Sequence, residues 1–194
     1  MPAFLCSRGD SPMYQFWEDV FMALFKPTGT LHSVTEITPA LLEVMGVRAI
    51  VLDIDNTMAA HGSQEPFEGV PSWAKALTDA GVKLVLVSNN YEKRVAPFAK
   101  KFGLPYVYFA CKPSPLGYLR AKKLMGVKTR ECLVAGDQIF TDIIGANLCG
   151  MWSVLLDPLA PDPAWTVRLK RYLENFFRPH YKPLTVDAVR KKEN

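Results

Sequence analysis

The sequence predicts an α/β domain: a doubly wound parallel sheet with helices on both faces and no separate cap domain. Three observations predict it. First, short apolar runs of strand length alternate with segments of helical periodicity along the chain. Second, the run Ala49-Ile50-Val51-Leu52 carries no polar residue on either face, which is how a central parallel strand buried on both sides reads. Third, polar residues collect where these runs end, and open α/β sheets bind ligands beyond the carboxyl ends of their strands.

In chain order, Ser11-Pro12 can cap and start a helix with Met13, Phe16, Trp17, Val20, Phe21, Leu24 and Phe25 as its apolar positions, stopped by Lys26-Pro27-Thr28-Gly29. Thr38-Pro39 starts a short helix that ends at Gly46 and feeds the strand from Ala49. A loop through His61, Gly62 and Pro66 leads to a helix over about 71–80, closed by Gly81. Val82–Val87 is a second buried strand, followed by a helix over about 91–102 and a short strand at Tyr106–Phe109. Lys112-Pro113 precedes a helix ending at Met125-Gly126; a strand at Cys132–Ala135, a helix near 140–149 and a strand at Trp152–Leu156 follow. An amphipathic helix over about 163–177 comes last, and Lys191-Lys192-Glu193-Asn194 reads as a loose tail. The chain thus divides into an N-terminal hydrophobic helix (1–30), an α/β core (31–160) and a C-terminal amphipathic helix with a basic tail (161–194).

Bulk properties bound the function. At 194 residues with 49% hydrophobic and 22% charged side chains, the chain is an ordinary globular protein with a sizeable core. A net charge of +4 permits an anionic substrate or surface without demanding nucleic acid, and no nucleic acid is expected. Cys6, Cys111, Cys132 and Cys149 show no CxxC spacing, which reads as reduced thiols in a cytoplasmic protein. No signal peptide is evident, and no run of eighteen apolar residues occurs.

The strand ends carry the chemistry. Asp53 and Asp55 follow the first core strand and start on the same side of it, because side chains alternate. Two carboxylates that close repel each other, desolvation aggravates the repulsion, and a divalent cation is the usual remedy, with hard oxygen ligands favouring magnesium. The other ends supply Thr57, Ser88 and Asn89, Lys112, and Asp137 with Asp142. Each alone has an ordinary structural explanation as a cap, a turn or a solvated charge. Together they offer a nucleophile, an acid/base, metal ligands, a hydroxyl and a cation.

The set VLDIDNT, VSNN, CKP and GDQIFTD resembles the four motifs of the phosphatase branch of the haloacid dehalogenase superfamily. The longer stretches SVTEITPALLEVMGVRAI, SNNYEKRV and GDQIFTDIIGAN resemble its subclass IIIA, YqeG-type family, which is similar to mitochondrial phosphatidylglycerophosphate phosphatases. The resemblance covers residues 31–158. It implies Asp53 as the nucleophile that forms an aspartyl phosphate, Asp55 as the acid/base and Lys112 as the neutralising cation. It also implies Ser88 and the Asn89 amide as phosphate ligands, with Thr57 bracing Asp55 beside that phosphate site. Magnesium would be held by Asp53, Asp137 and the backbone carbonyl of Asp55, with Asp142 behind them.

Spacing bears on the substrate. Thirty residues separate Thr57 from Ser88 and 21 separate Asn90 from Lys112, too few for a lid domain of usual size. An open site suits a phosphorylated substrate that brings its own cover, such as a lipid head group in a membrane. In the last helix, Trp165, Leu169, Tyr172, Leu173 and Phe176 fall on one side, with Arg168, Lys170, Arg171 and Arg178 on or beside the other. That pattern fits peripheral contact with an anionic membrane on its inner face, or plain packing on the sheet. Two alternatives compete: a receiver-like phospho-acceptor, in which the acceptor aspartate would stand alone, and a partner-binding module, for instance in ribosome assembly. The sequence leaves the oligomeric state open.

Overall fold

The computed structural model describes residues 22–161 and 165–193. Six strands make one parallel sheet: β1 (Gly29–Leu31), β2 (Ala49–Leu52), β3 (Lys83–Val87), β4 (Tyr106–Val107), β5 (Cys132–Gly136) and β6 (Trp152–Leu156). They lie in the order β1-β6-β5-β2-β3-β4, so the strand ahead of Asp53 sits near the centre. Leu52 is level with Leu86 of β3 and Ala135 of β5, which brings the three strand ends out together at one edge.

The helices are α1 (Pro39–Val44), α2 (Val70–Asp79), α3 (Glu92–Phe102), α4 (Pro115–Met125), α5 (Ile144–Cys149), α6 (Trp165–Phe177) and α7 (Val186–Glu193). Local chemistry sets their limits. Thr38 caps α1 by accepting the Leu41 N–H at 3.2 Å, with Pro39 in the first turn. Gly103 and Gly126 end α3 and α4 in the left-handed conformation that a side chain would disfavour.

Strand alternation sorts the core into two layers. Ile50, Leu52, Leu84, Leu86, Leu133 and Val154 pack against Leu42, Leu77 and Phe98 from α1, α2 and α3. Their neighbours Val51, Val85, Val87 and Val134 face the other way, onto Tyr118, Ala121 and Met125 of α4 and Ala146 of α5. Each fully buried side chain of this size contributes about 1.5–3 kcal/mol of burial free energy. The doubly wound parallel sheet is therefore the observed architecture, and the segment between β2 and β3 holds only a small flap and α2. Bridges of Ala59 to Asp55 and to Pro66 fold that flap over the strand ends.

The structure departs from the sequence reading in four places. Gly29–Leu31 forms β1 on the sheet edge beside β6, where a helix stop and linker were read. The chain returns along β1: the Thr30 N–H bonds to the Lys182 carbonyl at 3.0 Å, and the Leu184 N–H to the Thr30 carbonyl at 2.9 Å, which covers the exposed edge. Residues 186–193 are helical as α7, with Leu184 and Val189 in the core, so the charged end is the close of a helix and not a loose tail. The helix near 140–149 begins as a π-helix over Ile139–Ile143 before becoming α5. Finally, Arg171 and Arg178 turn inward while Leu169, Tyr172 and Leu173 are exposed, the reverse of the expected outward basic face.

Of the N-terminal helix, the part before residue 22 lies outside the described residues; 22–25 is helical and packs on the core. There the Phe25 ring stacks on Phe177, with centroids 5.5 Å apart. Among the described residues no helix is long and apolar enough to cross a membrane.

Candidate active site

The strand ends converge as the alternation of elements requires. β2 delivers Asp53 and Asp55, which are 7% and 9% exposed: enclosed, yet open to a ligand. β3 delivers Ser88, the loop after β4 delivers Lys112, and β5 delivers Asp137, with Asp142 on the π-helix behind it.

Around Asp53 the groups are charged and buried. The Lys112 ammonium bonds to Asp53 Oδ1, and to Asp142 Oδ1 at 2.7 Å. Oxygens of Asp53, Asp137 and Asp142 lie within 4.8 Å of one another, and all three residues are buried. Burial, joined by the charges of Asp142 and Asp137, pushes the Asp53 carboxyl well above the usual carboxylate range, against the pull of Lys112. Burial also opposes the charge on Lys112, but Asp142 and Asp53 outweigh it and hold the ammonium proton firmly. Three hard oxygen donors converging without enough positive charge between them are a donor set that fits a small divalent cation.

The backbone makes this cradle tight. A Cβ on Gly136 would sit 2.3 Å from Asp142 Cγ, so only glycine lets the π-helix bring that carboxylate home. A π-turn inside a helix often marks a functional site. Here the Gln138 carbonyl accepts both the Asp142 N–H at 2.9 Å and the Ile143 N–H at 3.4 Å, and the Asp142 carboxylate turns back to the strand end, accepting the Gln138 N–H at 3.3 Å. Tyr118 supports the turn from below, donating its buried hydroxyl to the Thr141 carbonyl at 2.9 Å.

Asp55 stands in different surroundings. One of its oxygens accepts from the Gly62 N–H at 2.8 Å and from Arg94 at 3.1 Å; the other accepts from the Asn90 amide at 2.7 Å. Its carboxylate is outside the three-acid cluster. Thr57 does not brace it: the Thr57 hydroxyl is buried without a hydrogen-bond partner among the described residues. Asn90, Arg94 and the flap take that part instead. Neither residue was assigned a role in the sequence reading, although both lie in the SNNYEKRV stretch just past Ser88. An arginine in the first turn of a helix that leaves a strand end is the signal that points back over the sheet edge.

The loops between these regions are held in strained shapes. Asn56, Phe109 and Cys111 have φ of 57°, 46° and 54°, the left-handed region that non-glycine residues seldom adopt, and such residues cluster at functional sites. The Asn89 side chain grips the lysine loop on both sides, accepting the Lys112 N–H at 2.6 Å and donating to its carbonyl at 3.2 Å. Asn89 thus fixes the lysine loop at Lys112. Ser88 is buried, and its hydroxyl accepts the Asn90 N–H at 3.1 Å. His61 is exposed on the flap and joins none of these contacts.

α6 closes the far side. Arg171 bonds to the Asp137 carbonyl at 2.7 Å and to its Oδ2 at 2.5 Å, and Arg178 bonds to the same carbonyl at 2.6 Å. Between them Glu174 is fully buried and accepts the Ile139 and Phe140 N–H groups at 2.7 and 3.2 Å. Burial pushes the Glu174 carboxyl up to about 7, while the Phe140 amide and the two arginines pull the other way.

A buried acid pair on a central strand, a serine, a lysine and two further acids at the successive strand ends of a parallel sheet make a charged, enclosed site of the kind that suits phosphate esters. The chain belongs to the haloacid dehalogenase-like hydrolase family, whose sequence model matches residues 35–150. It is 33% identical over 150 residues to the probable phosphatase YqeG of Bacillus subtilis, covering 77% of this chain and 87% of that protein, and so falls in the YqeG family. It is also 27% identical over 146 residues to the chloroplastic phosphatidylglycerophosphate phosphatase 1 of Chlamydomonas reinhardtii, spanning 70% of this chain and 54% of that protein. A 4-nitrophenylphosphatase from Thermotoga maritima shares the fold at a TM-score of 0.54 and 12% identity, over 72% of this chain and 93% of its own. The chain is thus a phosphatase of this family, with a phosphorylated substrate. Phosphatases of this family generally use a divalent metal, and the buried cluster of Asp53, Asp137 and Asp142 has the donors to hold one.

Proposed function

We propose that the protein is a magnesium-dependent phosphomonoesterase that works through an aspartyl phosphate on Asp53 and acts on a lipid-borne phosphate, with phosphatidylglycerophosphate the first candidate. The observation that carries the mechanism is the contrast between two carboxylates two residues apart. Asp53 faces Lys112 and the acid cradle, whereas Asp55 is held by Asn90, Arg94 and the flap.

Asp53 attacks phosphorus, and the bond to the ester oxygen breaks as Asp55 delivers a proton to the departing alkoxide. Asp55, now a carboxylate, takes a proton from water as that water attacks the acyl phosphate; inorganic phosphate leaves and Asp53 is regenerated. Ser88 and the Asn89 amide hold the phosphoryl oxygens, and Lys112 offsets charge on the nucleophile and the transferring group. Magnesium held by Asp53, Asp137 and Asp142, with the Asp55 carbonyl, would supply further neutralisation of that charge. The lysine's fixed position, secured by Asn89, means this stabilisation needs no rearrangement during reaction.

The likeness to the algal phosphatidylglycerophosphate phosphatase supports the lipid substrate, and so does an entrance over which the described residues between β2 and β3 fold no more than a small flap. The test is phosphate release from phosphatidylglycerophosphate in mixed micelles with magnesium, wild type against Asp53→Asn, beside a panel of soluble phosphomonoesters. Rapid metal-dependent release from the lipid that vanishes in the variant is the expected result. Release from soluble esters alone overturns the lipid substrate and keeps the chemistry.

A further inference from the structure

We propose that the protein docks on anionic bilayers through the surface flanking its catalytic loop, formed by Tyr91, Phe109, Leu116 and Leu119 with Arg120 and Lys123. This deepens the lipid-substrate reading and rests on it for its purpose, although docking itself is measurable without turnover.

The surface is built from two elements that meet at the site. Helix α4 buries Gly117, Tyr118, Ala121 and Met125, and its outer face repeats at the three- and four-residue spacing of Leu116, Leu119, Arg120 and Lys123. Leu116 is 68% exposed and Leu119 40%. These side chains and Phe109 line an open groove of about 390 Å³. The Phe109 ring, 55% exposed, stacks on Tyr91, itself 67% exposed, with centroids 6.0 Å apart. An apolar surface of this kind clustered in one place, not scattered singly, marks an interaction site.

Charge decides the partner. The segment Pro115–Met125 carries Arg120, Lys122 and Lys123 and no acid, so its apolar residues are interleaved with cations alone. Aliphatic and aromatic anchors ringed by Lys and Arg are the composition of a surface that lies on anionic lipid. On α6 Leu169, Tyr172 and Leu173 are exposed beside Arg168, but Arg171 and Arg178 are committed to Asp137, and α6 does not adjoin the lysine loop.

Position then joins docking to catalysis. The Phe109 N–H bonds to the Asn90 carbonyl at 2.9 Å, so the aromatic pair bridges the loop that holds Asp55 and the loop that holds Lys112. Three residues after Phe109, the Lys112 side chain reaches Asp53. A bilayer resting on this face presents its head-group phosphates at the mouth of the site.

The test is sedimentation of the full chain with phosphatidylcholine vesicles, with and without phosphatidylglycerol. The expected result is salt-sensitive binding to the anionic vesicles. Arg120→Gln/Lys123→Gln should weaken it about 25-fold, at roughly fivefold per cation removed. Leu116→Ser/Leu119→Ser should weaken it about tenfold, and both pairs should keep wild-type thermal melting and wild-type turnover of a soluble phosphomonoester. Equal binding to neutral and anionic vesicles, or none, overturns the proposal. So does a loss confined to Leu169→Ser/Leu173→Ser, or a concentration-dependent dimer that the groove variants dissolve. Docking that persists while only soluble esters are hydrolysed overturns the lipid substrate instead, so the two failures are told apart.

Discussion

The two halves of the acid pair sit in regions of opposite character. The Asp53 region is a cradle of buried charges drawn from β2, β5, the π-helix and the lysine loop, closed by α6. The Asp55 region is built from hydrogen-bond donors on the flap and the start of α3, and every contact it makes is one in which Asp55 accepts. The difference teaches how one dipeptide spacing produces two roles. The strand fixes both residues on the same edge, and it is their surroundings that distinguish them, which is why the mechanism proposed above gives one the attack on phosphorus and the other the proton transfer. The carboxylate wedged between a lysine and two acids has the oxygen donors for a metal beside it, and the mechanism proposed above assigns it the attack on phosphorus.

The largest break in the comparison should come from Lys112→Met. It removes the cation that Asp53 and Asp142 share, and turnover of a soluble phosphomonoester should fall about 10²–10³-fold, as for loss of a preorganised stabiliser of transition-state charge. Gly136→Ala attacks the cradle through its backbone. Forcing Asp142 away should cost about 1–3 kcal/mol in denaturant unfolding and weaken magnesium-dependent activation of the same variant.

On the other side, Asn90→Ala and Arg94→Gln should each slow the first step, read as single-turnover alcohol release, about tenfold for alkyl phosphates and far less for 4-nitrophenyl phosphate, whose leaving group needs no proton. Equal slowing of that first step on both esters would show that these residues position substrate and not Asp55. The last effect concerns α6 and falls on stability, not on turnover. In the folded chain Glu174 holds its proton up to about pH 7, whereas an unfolded glutamate releases it near 4.5. The folded state therefore binds more protons across that window, and this contribution to stability is full below about pH 4.5 and lost as pH rises through 7. Glu174→Gln should flatten that dependence, by up to about 3 kcal/mol between pH 4.5 and 8, read from urea midpoints at each pH.

Much of the arrangement was legible because strand ends are legible. Asp53, Ser88, Lys112 and Asp137 follow apolar runs directly, and a parallel sheet brings such positions to one edge whatever the connecting helices do. What was not legible lacks a periodic signal. β1 spans three residues, too few for alternation to show. The π-turn adds its residue without disturbing an apolar helical pattern, so the sequence reads it as ordinary helix. The amphipathic pattern of α6 says that two faces differ but not which one meets the sheet. Burial of Glu174 with Arg171 and Arg178 on Asp137 reversed the expectation. The Thr57 brace failed for a similar reason: side-chain reach from a flap folded back over Asp55 is set by tertiary contacts and not by spacing.

The most direct test of the divided roles is pre-steady-state release of 4-nitrophenol from 4-nitrophenyl phosphate by Asp55→Asn and Asp53→Asn, with magnesium. This leaving group departs without a proton, so Asp55→Asn should release one equivalent in a burst and then stall, with an acyl phosphate trapped on Asp53. Asp53→Asn should show neither burst nor turnover. Steady turnover by Asp53→Asn, or an Asp55→Asn variant that stalls without any phosphorylated enzyme, would contradict the account.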